Sequence, residues 1–215
     1  MEKTFLKPIK LQPLQYFGMT DWYAYYGISI SPKKQAVIGK FPWSQDILDS
    51  PCLFYPEKTV RETHFAFVGL DNITIMKLRK LNPRALEPRF FSYSPDVWYA
   101  KKEFSNTETL KLRWYLLLKD ALPGSHGKTF NEQKAMLPSE YEIPMAIVEV
   151  AKNLFLFKKT GTRANQNCYA RTSDLIPYGT DVFVGDSING VSIRGYFNDP
   201  QNMELGLAVS RKLGI

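Results

Sequence analysis

The sequence predicts an α+β domain, on three observations. Nine prolines break residues 1–104 into short segments. A stretch of helical periodicity follows. Short β-like runs separated by turn residues then return after Gly161. The chain reads as a single domain of 215 residues in three stretches: 1–104 rich in strand and loop, 105–161 helical, and 162–215 forming a C-terminal sheet with a binding loop.

In the first stretch, Trp22-Tyr23-Ala24-Tyr25-Tyr26 is β-prone and Ala36-Val37-Ile38 is a short apolar run. His64-Phe65-Ala66-Phe67-Val68 precedes Gly69 as a strand would, and Ile73 to Leu81 fits either strand or helix. Long helices are not expected here, because Phe41-Pro42-Trp43-Ser44 and Ser50-Pro51-Cys52 resist helix formation. After Asn106, Leu110, Trp114, Leu117, Leu118 and Ala121 follow helical spacing, which predicts a helix over 107–121 closed by Pro123-Gly124.

Thr129 and Glu132 have the spacing of a capping box and predict a short helix before Leu137-Pro138. Ser139 and Glu142 repeat that spacing ahead of Ile143, Ile147, Val150, Ala151, Leu154 and Phe157. Pro144 moves the expected start of this helix toward 143. Lys158 and Lys159 suit its negative C-terminal end, and Gly161 suits the left-handed residue that follows. Strands are expected at 169–173, 181–185, 191–196 and 205–210, the last three as an antiparallel sheet. Asn189-Gly190 marks a hairpin, and alternation places Val191 and Ile193 on one face and Ser192 and Arg194 on the other.

Composition excludes several classes. With 44% hydrophobic and 23% charged residues the chain is not intrinsically disordered. Its apolar runs fall far short of the ~20 residues that cross a bilayer, so no membrane insertion is expected. Residues 1–8 lack the apolar core of a secretory signal, which makes a cytoplasmic location the default and leaves surface or virion display open. Cys52 and Cys168 are too few for a disulfide framework or a tetrahedral zinc site. The 14 Phe, 12 Tyr and 4 Trp serve a core and a recognition surface equally well.

Catalytic signatures are sparse. His64 and His126 form no metal-binding pattern, and neither a phosphate-binding glycine loop nor a Gly-x-Ser-x-Gly elbow is present. Ser94-Pro95-Asp96 with Glu149 and Lys152 has the residue types of a metal-dependent nuclease, but the acid and lysine are three apart where such sites need one. No enzymatic activity, cofactor or metal is expected; a third reading is an enzyme whose site is scattered over the loops of residues 1–104, which sequence spacing does not reveal. The +7 charge, with Trp98, Tyr99, Lys101 and Lys102 as a local basic and aromatic patch, supports an alternative reading as a basic nucleic-acid-associated protein. Asp186 to Asn202 mixes short polar, glycine and aromatic residues, a mixture that serves a binding loop or an ordinary polar hairpin.

A family resemblance follows from motif order. Leu137-Pro138-Ser139-Glu140-Tyr141-Glu142 resembles the Leu-Pro-Thr-Glu-x-Glu of proteins related to the formylglycine-generating enzyme, a branch of the C-type-lectin-like fold. Arg171-Thr172-Ser173 is similar to that branch's Trp-Thr-Ser, Val184-Gly185-Asp186-Ser187 to its Arg-Gly-Gly-Ser, and Gly206-Leu207-Ala208-Val209 to its closing Gly-Phe-Arg-x-Val. The resemblance covers residues 137–215 and implies a C-type-lectin-like α+β fold: a twisted, mainly antiparallel sheet, two or three helices and long irregular loops. It also implies that the chain ends meet, with Phe5 to Leu14 beside Leu205 to Val209.

The same branch contains the variable proteins of diversity-generating retroelements, which implies noncatalytic recognition of a protein or glycan through a C-terminal variable-type surface. Asp186, Ser187, Asn189, Ser192, Arg194, Tyr196, Asn198 and Asn202 are the implied exposed contacts. Oxidase activity is not implied, since no cysteine follows Cys168. Phe197-Asn198-Asp199 is similar to the Trp-Asn-Asp of calcium-dependent lectins but lacks a Glu-Pro-Asn partner, so calcium is not implied either.

Overall fold

The computed structural model describes residues 13–83, 85–92, 96–165, 168–176, 179–196 and 204–214, and of Tyr196 the backbone alone. The protein is a mixed α/β structure of the α+β type. A five-stranded sheet runs in the order β1 (Gln15–Phe17), β4 (His64–Val68), β5 (Trp114–Leu118), β11 (Ser210–Arg211) and β6 (Tyr141–Glu142). A second sheet runs β10 (Leu205–Leu207), β7 (Tyr169–Ile176), β8 (Thr180–Ser187) and β9 (Gly190–Tyr196). Pairing is antiparallel throughout both, except that β1 runs parallel to β4 and β10 parallel to β7. A small ribbon joins β2 (Pro51–Cys52) to β3 (Tyr55–Thr59).

Helix α8 (Ala146–Thr160) lies against both larger sheets, touching β1 and β4 of one and β7, β8 and β9 of the other. It is buried at every residue from Ala146 to Leu156. Such a helix has no solvent face, so apolar side chains surround it. Phe155 stacks on Phe17 at 4.2 Å between ring centres and meets Trp22 edge-on at 5.1 Å.

Its buried polar groups need partners, and several have them. Lys152 Nζ lies 2.6 Å from Glu149 Oε1 and donates to the carbonyls of Leu118 and Lys119, tying α8 to the end of β5. Asn165 Nδ2 donates to the same Glu149 oxygen at 2.6 Å. The helix ends at Gly161 with φ of 71°, as expected. Its start differs. Tyr141–Glu142 is a strand, not a cap, and Met145 at the N-cap offers no side-chain bond. Asp174 of β7 supplies the cap instead, its carboxylate accepting from Ala146 N at 2.5 Å.

The expected helix over 107–121 is instead a loop followed by β5, whose five residues are all buried between β4 and β11. A central strand covered on both faces carries a continuous apolar run, and that run also satisfies helical spacing. The reverse error occurs at Trp22 to Tyr26, which lie in α1 (Met19–Tyr26). Gly18 N bonds back to Asp21 at 2.6 Å and Gly27 closes the helix with φ of 66°, so local capping overrides aromatic β propensity.

Ala36 to Ile38 likewise lie in α2 (Pro32–Ile38), where the Ser31 hydroxyl accepts from Lys34 N and Pro32 occupies the first turn. Ile75–Leu81 forms α5 behind a Thr74 cap. Thr129 and Glu132 make the predicted box at α7 (Phe130–Ala135), and His64 to Val68 is the predicted strand. With α3 (Gln45–Asp49), α4 (Val60–Thr63) and α6 (Glu103–Asn106), the described residues hold eight helices rather than two or three. Among them, no helix is long and apolar enough to cross a membrane.

The C-terminal segment also departs from expectation. Residues 205–210 do not pair with β9: Leu205–Leu207 joins β7, and Ser210–Arg211 inserts between β5 and β6. Of the expected pairing between Phe5 to Leu14 and Leu205 to Val209, residues 5–12 lie outside the described residues. Strand β1 shares a sheet with β11 but is separated from it by β4 and β5.

Candidate recognition face of the C-terminal sheet

The β8–β9 hairpin turns at Ile188 and Asn189, with the positive φ on Gly190 at 112° and not on Asn189. A Cβ at Gly190 would stand 2.3 Å from the Arg89 carbonyl, so glycine also permits the approach of segment 89–91. Val191 N donates to Arg89 O and Phe91 N donates to Val191 O, both at 2.8 Å. Trp98 Nε1 donates to Ile193 O at 2.9 Å. Residues 89–91 and Trp98 thus flank the outer edge of β9.

Alternation holds along β9. Val191 and Ile193 join Val182 and Val184 in the core facing α8, while Ser192 and Arg194 turn to the opposite face. On that outer face the register aligns Arg171 with Phe183 and Arg194, and Tyr169 with Gly185 and Ser192. Helix α7 covers the Arg171 end. Arg171 is fully buried, lies 3.2 Å from Asp181, donates to Gln133 Oε1 at 2.9 Å, and stacks against Phe130 and Phe183.

Beyond α7 the face opens. Two depressions of about 470 and 290 Å³ share Phe91, Ser192 and Arg194. The Arg194 guanidinium lies 4.7 Å from the Tyr169 ring centre. Among the described residues it makes no hydrogen bond or ion pair. Gly185 makes this stacking feasible, because a Cβ there would press to 2.8 Å on the Tyr169 ring. In the larger depression Trp98 is 41% exposed and its ring stands edge-on to Tyr99. With its indole N–H anchored to β9, Trp98 presents a fixed aromatic surface.

An ionic cluster holds the hairpin tip to the flanking segment. Arg163 bonds Asp186 at 2.8 Å and Glu87 at 2.9 Å, Glu87 pairs with Arg89, and Arg89 Nε donates to Asn189 O. Asp186 is therefore buried structure and not an exposed contact. Burial outweighs the Arg163 charge and pushes its carboxyl up to about 6.

The other expected contacts divide. Ser192 is buried yet borders both depressions, Ser187 and Arg194 are half-buried, and Asn189 is exposed. The Tyr196 side chain, Asn198 and Asn202 lie outside the described residues, as does Phe197-Asn198-Asp199. The sequence reading did not include Phe91 or Tyr169 in the site, and it placed Trp98 in a separate basic patch. Trp98 and Ile193 are 95 positions apart, a separation no local pattern bridges.

Elsewhere, His64 is buried against Thr63, the Val60 carbonyl and Tyr141, and burial drives its imidazole down to about 3. Glu149 and Lys152 are locked together inside α8. Among the described residues, no group of three or more His, Cys, Asp or Glu is placed to hold a metal ion. No protein-family model, curated protein or solved structure shows a significant match to this chain.

Proposed function

We propose that this protein is a noncatalytic recognition module that binds a protein or glycan on the outer face of its C-terminal sheet, between β9 and residues 91, 92 and 96–99. The observation that carries this reading is Arg194, a guanidinium stacked on Tyr169 between two depressions and unpaired among the described residues. The anchored Trp98 beside it adds rigid contact area, and Trp, Tyr and Arg are the residue types that dominate binding hot spots.

A C-type-lectin-like architecture of the variable-protein kind belongs to the same proposal. The order of the sequence motifs and the packing of α8 behind β7, β8 and β9 support it. The separation of β1 from β11 by two strands counts against it.

Screening the protein against displayed glycans and extracellular protein domains, followed by Trp98→Ala and Arg194→Ala, tests the proposal. Each substitution is expected to weaken binding about tenfold or more while leaving the melting temperature near wild type. Undiminished affinity in both variants rejects this face as the site.

A further inference from the structure

Resting on that recognition reading, we infer that the ligand is a glycan carrying a carboxylated sugar, whose carboxylate pairs with Arg194 while a neighbouring ring lies on Trp98. Three features of the groove select this chemistry over other ligands of the same size.

The backbone edge of β9 is engaged at Val191 and at the Ile193 carbonyl. Val191 N and O are taken by Arg89 and Phe91, and Ile193 O is taken by the Trp98 indole. An extended peptide that adds to a sheet draws its affinity from such main-chain groups. Recognition here falls instead to side chains: the Trp98 ring, the Ser192 and Ser187 hydroxyls and the Arg194 guanidinium. Apolar C–H faces of a sugar suit the ring, and its hydroxyls suit the short polar groups.

The charge pattern is mixed. Arg194 is a planar fork suited to a carboxylate, and the Tyr169 ring beneath it holds that plane in place. Asp96 borders the larger depression, and Asp186 and Glu204 border the smaller. One carboxylate at Arg194 matches one cation.

The test is an array of glycans ending in uronic or sialic acid, their carboxyl-reduced neutral counterparts, an oligoglutamate peptide and a single-stranded oligothymidylate, probed with wild type, Arg194→Gln and Trp98→Ala. Wild type should retain the acidic glycans, with carboxyl reduction costing about tenfold or more. Arg194→Gln should bind acidic and reduced glycans alike, and Trp98→Ala should weaken both. Equal wild-type binding of acidic and reduced glycans, lost in Trp98→Ala, overturns the carboxylate assignment and leaves the recognition reading standing. An acid preference that persists in Arg194→Gln also overturns it. Retention of only the peptide or the oligothymidylate overturns the glycan class, and no retention of any probe overturns the inference as a whole. The recognition reading itself fails separately, when a ligand found in the broader screen binds both groove variants with undiminished affinity.

Discussion

Arg171 and Arg194 flank Phe183 on the same face of one sheet, yet they live in opposite environments. Arg171 lies under α7, with Asp181 and Gln133 as polar partners and two phenyl rings around it. Arg194 lies on Tyr169 and borders two depressions lined by described residues, with no contact to α7 among them. Sequence places both in strands with the same alternation; what separates them is a six-residue helix from elsewhere in the chain. The covered arginine is tied into the fold by partners on two elements, whereas Arg194 makes no hydrogen bond or ion pair among the described residues.

The largest expected effect breaks the covered side. Arg171→Leu strands Asp181 inside the protein and should cost about 3–5 kcal/mol in denaturant unfolding. Adding Asp181→Leu should recover a substantial part of that loss, because the remaining site is then apolar. A double variant no more stable than the single would mean that stacking on Phe130 and Phe183, not charge pairing, holds the site.

A second comparison sets His64 against Asp186. The His64 imidazole falls from the usual 6.5 to about 3, so the unfolded chain binds the extra proton and stability is lost as pH falls through that window. Asp186 rises from 3.8 to about 6, so its buried charge is relieved as pH falls from about 6 to 4, which adds stability in the same direction of pH change. The two oppose each other. Asp186→Asn should therefore steepen the acid loss of stability between pH 6 and 4, measured as unfolding midpoints against pH. An unchanged slope would remove Asp186 from the balance.

Smaller again is the cap. Asp174→Ala should destabilise α8 by about 1 kcal/mol, with Asp174→Asn retaining most of the stability. Smallest is Arg194→Gln, expected to shift stability by less than about 0.5 kcal/mol although it lies in the same sheet as Arg171. A large loss there would show that Arg194, too, is structural.

Much of the fold was legible where the signal is local. The Thr129 and Glu132 box, the Gly161 stop, strand β4 and the Asn189-Gly190 hairpin each depend on residues a few positions apart. The pattern failed at β5, because burial on both faces erases the twofold alternation that marks a strand, and at α1, where capping outweighed five β-prone residues. The candidate site was half legible. Alternation placed Ser192 and Arg194 on one face, but nothing local links them to Phe91 and Trp98. Asp186 reads as a polar loop residue until Arg163, 23 positions away, draws it inward.

Tryptophan fluorescence quenching probes the open half of this face most directly. Trp22, Trp43 and Trp114 are 0, 4 and 8% exposed, against 41% for Trp98, so the quencher-accessible emission should come from Trp98. Iodide should quench it more strongly than caesium because Arg194 lines the same depression. The predicted result is loss of accessible emission in Trp98→Phe and loss of the iodide preference in Arg194→Gln. Accessible emission that persists in Trp98→Phe, or an iodide preference unchanged in Arg194→Gln, would contradict an open groove with an available cation.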